Sequence, residues 1–242
     1  MANWSDPRTT AAAAAAQVGA QSAATDAGLR SYMLSVYNHM MSAVLLTGIV
    51  ALGFASWSGS DAILASPLRW VIMLAPLGFV MVLSFGINRL SEGTAKALFW
   101  AFAFVMGLSM SAIFKVYTGE SIATTFFATA AAFAGLSLYG YTTKRDLSAF
   151  GTFLVMGVVG LLIAMVINIF LQSSALAMAI SFIGVLLFAG LTAYDTQKIK
   201  SMYFYVAGTE MMGKTVIMGA LTLYLDFINM FTFLLNFMGN RE

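Results

Sequence analysis

Two acids stand in segments where acids are costly. Asp226 lies near the middle of residues 215–236, TVIMGALTLYLDFINMFTFLLN, a run long enough to cross a bilayer and apolar enough to enter one. An ionised carboxylate at that depth is expensive, so an intramembrane acid is a candidate functional site by default. Thr215, Thr222, Asp226, Asn229 and Asn236 follow one another at intervals of 7, 4, 3 and 7 residues. At about 100° per residue they occupy one narrow stripe of a helix. A helix with one polar stripe turns it toward protein or water and away from lipid. The last helix is therefore expected at the centre of a bundle.

The second acid is Asp195, in the preceding segment, which ends LLFAGLTAYDTQKIK, with Ser181, Gly184 and Thr192 on its face. Two neighbouring helices thus each bring one carboxyl toward the interior. The plainer reading of Asp195 is an interfacial acid, paired with Lys198 or solvated. Asp226 lies 11 residues past Thr215, or roughly 16 Å along the axis. That puts it near mid-membrane, with Asp195 nearer the surface. Spacing alone does not bring the two carboxyls together.

Positioning these acids falls to an all-α integral membrane fold. Of the 242 residues, 60% are hydrophobic and 9% charged, with mean hydropathy +0.87. Soluble domains carry about a quarter charged residues. Seven apolar segments are expected at about 33–57, 69–88, 96–117, 122–141, 149–171, 175–197 and 215–237. Connections are short except for residues 198–214. Residues 1–29 read as a flexible Ala-rich tail with some helix, and residues 30–242 as the transmembrane domain. Ala103, Gly107 and Ser111, at four-residue spacing, form a small-residue face for close helix packing.

Composition also excludes functions. Net charge of +2 and the lack of a basic cluster argue against nucleic acid. Cysteine is absent and His39 is the single histidine, so thiol chemistry and a histidine-rich metal site are excluded within one chain. No enzyme activity and no cofactor are expected. Of the twelve Lys and Arg, nine fall on the side of the tail and of the loops after the second, fourth and sixth spans. Arg69, Lys115 and Arg241 fall on the other. This bias predicts a cytoplasmic N-terminus and an external C-terminus.

The segments LTAYDTQKIK (191–200) and ALTLYLDFINMF (220–231), ending a seven-span chain, resemble the Bax inhibitor (transmembrane Bax inhibitor motif) family. TKRDLS at 143–148 adds to the likeness, which covers residues 30–240 and is nearer to the bacterial subgroup. The resemblance implies a seven-helix bundle whose last helix is enclosed by two three-helix layers. It implies a pH-sensitive calcium leak, with links to stress and cell-death control, in a bacterial inner membrane. The family's paired aspartates fall on Asp195 and Asp226; Thr192, Thr222 and Asn229, on the same helix faces by spacing, are the supporting polar stripe. Arg89, at the cytoplasmic end of the second span, is the candidate latch over the pair, although INRLSEG around it is less basic than in some relatives.

Residue chemistry fits that expectation. Two close carboxyls in low dielectric cannot both ionise cheaply, so they share a proton and titrate as a unit, while a guanidinium pulls the other way. Changing pH then changes the charge of the site and biases an open or closed arrangement. Ionised carboxylates with Asn and Thr oxygens also suit a transient Ca²⁺ site in a pathway. The competing reading is a membrane regulator that restrains a partner, such as a membrane protease, without flux. An intramembrane hydrolase lacks a familiar motif, and a retinal receptor would want a lysine in the middle of the last helix.

Other residues take plain roles. His39 reads as an interfacial or helix-contact residue, Asn168 as an interhelical hydrogen-bond donor or acceptor, and Glu92 and Glu120 as solvated. Asp146 reads as a loop ion pair with Lys144 or Arg145, and Tyr203 and Tyr205 as interfacial anchors.

Overall fold

The computed structural model describes residues 7–240, with side chains described from residue 23. Helix α1 spans Pro7–Ser56 without a break. The stretch read as a tail therefore continues the first span as helix from Pro7 on. Alanine, which loses no side-chain entropy on joining a helix, accounts for this. A short α2 (Ser60–Ala65) leads to α3 (Leu68–Gly86), which tolerates Pro76 in its interior. Helix α4 (Glu92–Met110) is capped by Ser91, whose Oγ accepts from Thr94 N at 3.1 Å. It breaks at Ser111, whose hydroxyl donates to Leu108 O, and α5 (Ile113–Val116) follows.

Helices α6 (Gly119–Thr142), α7 (Ser148–Leu171), α8 (Ser174–Val206) and α9 (Met211–Met238) complete the chain. Seven of the helices are long and apolar enough to cross a membrane, as the hydropathy pattern predicts. One boundary differs in a way that matters. Helix α8 runs on to Val206 and α9 begins at Met211, so the long connection expected at 198–214 shrinks to residues 207–210. Gly208 takes φ 75° there, a left-handed conformation that glycine adopts without steric cost.

Helices α1, α3 and α4 pack as one layer and α6, α7 and α8 as another, with α9 between them in contact with α1, α4, α6 and α8. In α9, 72% of the most apolar window is buried, against 11–39% in the other spans. It is the central helix. The outer surface is apolar, as a lipid-facing one must be, with Phe85, Phe127, Phe153 and Phe170 exposed.

The small-residue face of α4 packs as expected. A Cβ on Gly107 would strike Val50 and the Thr47 carbonyl of α1. Ala103 and Ser111 are fully buried.

Three local readings are corrected. Asn168 makes no bond to another span among the described residues; its Oδ1 accepts from Ser173 N at 3.1 Å and closes the α7–α8 turn. The Asp146 carboxylate accepts from Ser148 N at 2.9 Å, opening α7, and joins neither ion pair found among the described residues. The Ser148 hydroxyl, and after it this backbone bond, hold its carboxyl below the usual range. Tyr205 is exposed, but Tyr203 is buried, its ring 5.5 Å from that of Tyr32. The α8 extension carries Tyr203 back over α1.

Candidate functional site

The α8–α9 hairpin brings the two acids together. Asp195 lies 11 residues before Val206, and Asp226 lies 15 residues after Met211. Those are about 16 and 22 Å along the axes from the turn, at 1.5 Å per residue, so the acids sit at comparable depth. The expected long loop would have left Asp195 near the surface; extending α8 as helix removes that offset. Both acids are buried, and their carboxyls lie within hydrogen-bonding range of each other. Asp226 Oδ2 has no donor among the described residues. Two buried carboxyls so placed can satisfy each other by sharing one proton.

The charged neighbour of the pair is Lys198, one turn past Asp195, whose field reaches the Asp195 carboxyl. Its Nζ lies 5.9 Å from the centre of the Tyr194 ring. The plain reading of Asp195 as an interfacial acid is not what the structure shows: Asp195 is buried and joins neither ion pair among the described residues. Arg89 is not brought to the site. It lies exposed in the α3–α4 turn, its backbone N donating to Gly86 O, and it joins neither ion pair among the described residues.

The supporting polar groups bond to their own helices. Thr192 Oγ1 donates to Phe188 O, Thr222 Oγ1 to Met218 O and Asn229 Nδ2 to Leu225 O, at 2.8, 3.0 and 2.8 Å. Thr192 is fully buried, whereas Thr222 and Asn229 are half-buried. None of the three bonds an acid. Among the described residues no group of three or more His, Cys, Asp or Glu side chains gathers. Two carboxyls alone offer fewer oxygens than the six to eight that Ca²⁺ takes at a storage site.

Two buried polar chains fix the helices around the acids. Thr47 Oγ1 of α1 donates to Ala103 O of α4 at 2.9 Å and lies 2.7 Å from the Tyr224 hydroxyl of α9. Tyr224 precedes Asp226 by two residues, and its ring meets Phe102 edge-on. On the other side, Tyr37 of α1, Ser137 of α6 and Thr196 of α8 form a hydroxyl relay at 2.6 and 2.9 Å. Thr196 adjoins Asp195. Gln197 follows, its Oε1 accepting from Leu147 N and its Nε2 donating to Arg145 O at 2.9 and 2.8 Å. Lys200 Nζ donates to Tyr141 O at 2.7 Å. The letters around Asp195 in TAYDTQKIK thus bolt α8 to α6 and to the α6–α7 loop. Helix α6 comes so close that a Cβ on Gly140 would strike the Ala193 carbonyl.

The polar letters beside both acids were visible in the sequence, but their partners lie 50–177 residues away. The family likeness is decided by a match to the Bax inhibitor family, described as "Inhibitor of apoptosis-promoting Bax1", over residues 29–242. The chain belongs to the Bax inhibitor family. An uncharacterised protein of Rickettsia prowazekii is 49% identical over 219 residues, covering 90% of this chain and 92% of the relative. The inner membrane protein YbhL of Escherichia coli K12 is 47% identical over 220 residues, covering 89% and 94%. A Caulobacter vibrioides protein is 44% identical over 229 residues, covering 90% and 92%. This Bax inhibitor family chain is thus an integral membrane protein with seven candidate spans and an enclosed last helix.

Proposed function

We propose that this protein is a pH-sensitive cation leak pathway, with calcium as the permeant ion, gated by Asp195 and Asp226. The observation that carries the reading is the Asp226 Oδ2 atom, buried at the centre of the bundle beside Asp195 with no donor among the described residues. Such a pair has two charge states separated by one proton, and each favours a different arrangement of the helices that hold it. Asp226 and Asp195 act as passing ligands for the cation, with no resident metal, no cofactor and no catalytic role.

Arg89 supplies the latch. Loss of the shared proton adds one negative charge to the pair, and the guanidinium of the α3–α4 turn is drawn to it. The latched arrangement accumulates as pH rises, and leak grows as pH falls. In this reading an exposed Arg89 belongs to the unlatched arrangement.

The inner-membrane description of the Escherichia coli relative supports a bacterial inner membrane as the location. The nine-to-three distribution of basic residues supports a cytoplasmic N-terminus. Single cysteines at Lys144 and at Gly239 should then label from opposite sides of the membrane, Lys144 from the cytoplasm. Labelling of both from one side contradicts this topology.

The function is tested with purified protein in liposomes loaded with a calcium indicator. Calcium flux above that of empty liposomes, rising as pH falls, is expected. Absence of flux across the pH series would leave the partner-restraining role as the reading to pursue.

A further inference from the structure

The seam between α1 and α6 is open. A groove of about 880 Å³ runs along it, walled by α1 from Arg30 to Leu45 and by α6 from Tyr141 to Phe126. Each wall covers 16 residues, about 22 Å from end to end at 1.5 Å per residue. That matches the thickness of one leaflet with its headgroups, half of the roughly 40–45 Å of a bilayer. Phe227 of α9, the residue after Asp226, lies at the deep end. A smaller cavity of about 300 Å³ shares Val44, Phe126 and Phe227 and carries the seam onward.

Charge is confined to the mouth. Arg30 is the one charged side chain on the lining and joins neither ion pair among the described residues. Tyr141, also at the mouth, holds a second cation: Lys200 Nζ lies 4.8 Å from its ring centre and donates to its carbonyl. That leaves two ammonium protons of Lys200 for another acceptor. No acid lines the groove.

We propose that this groove is a binding site for one anionic glycerophospholipid. The acyl chain lies between α1 and α6, and the phosphate sits at the mouth on Arg30 and Lys200. An apolar slot one leaflet deep, entered from the bilayer past two cations, fits this ligand in both length and charge. Its inner end reaches the helix that carries Asp226. The site does not depend on ion flux.

Native mass spectrometry of the full chain tests it, with phosphatidylglycerol or phosphatidylcholine of identical acyl chains added to the detergent-purified protein. Each basic residue near a headgroup contributes about five-fold toward anionic lipid, so the wild type should retain phosphatidylglycerol at least about five-fold over phosphatidylcholine. Arg30→Gln should reduce that preference while retaining lipid. Ala134→Trp, which fills the groove from α6, should reduce retention of both lipids, and Leu138→Trp serves if that variant does not fold. Leu162→Trp, on the exposed face of α7, should change nothing. Equal retention of the two lipids by the wild type would overturn the headgroup assignment, as would an unchanged preference in Arg30→Gln. Full retention in a folded groove-filled variant would mean annular lipid only and overturn the site.

Discussion

The Tyr224 hydroxyl donates to Thr47 Oγ1 at 2.7 Å, because the single hydroxyl proton of Thr47 is already given to Ala103 O. One threonine thereby ties three helices together, two residues from Asp226. Tyr224→Phe deletes a donor and leaves Thr47 satisfied by Ala103, so it should cost about 0.5–1.5 kcal/mol. Thr47→Val leaves the buried Tyr224 hydroxyl without its acceptor, while the Ala103 carbonyl keeps its bond within α4, and should cost about 1–3 kcal/mol. Thermal unfolding in detergent would rank the two; a Tyr224→Phe protein less stable than Thr47→Val would refute this assignment of donors.

Gly140 sits where α6 and α8 come closest. Its missing Cβ leaves room for the Ala193 carbonyl, two residues from Asp195. Backbone cannot swing aside as a side chain does, so Gly140→Ala should destabilise the protein by about 1–3 kcal/mol. Gly135, on the same helix, has open space where a Cβ would go. Gly135→Ala should be neutral or stabilising by up to about 1 kcal/mol through helix propensity alone. Equal unfolding temperatures for the two variants would show that α6 and α8 are not in such close contact.

Much of the fold was legible because bilayer insertion imposes a coarse and strong pattern. Seven apolar runs, the enclosed last helix and both acids could be read directly from hydropathy and spacing. The end of α8 could not. KIKSMYFYV interrupts the apolar run with three polar residues, so hydropathy stops near residue 197 while the helix continues to Val206. That hidden extension is what aligns Asp195 with Asp226. Asn168 and Asp146 were misread because turn capping is a local event that competes with interhelical bonding and ion pairing. The relay Tyr37–Ser137–Thr196 joins residues 100 and 59 apart, a proximity that no local pattern encodes.

Arg89 is expected to restrain the leak by pairing with the acids when they lose their shared proton. Arg89→Ala should raise calcium flux at the higher pH values, where the wild type is closed, and change it little at the lower ones. Arg89→Lys keeps the charge without the planar fork and should restore closure in part. Flux and pH response identical to wild type in Arg89→Ala would remove this residue from the mechanism.

The central claim is that Asp195 and Asp226 titrate as one unit. The direct measurement is calcium flux in proteoliposomes across a pH series, for wild type, Asp195→Asn, Asp226→Asn and the double variant. Asn preserves shape and most hydrogen-bonding capacity, so packing should survive and the comparison reports charge. Either single substitution ends the sharing of a proton, so each should flatten the pH dependence, and the double variant should add little beyond either one. Normal pH gating in the Asp226→Asn protein, or effects of the two substitutions that simply add, would contradict the account.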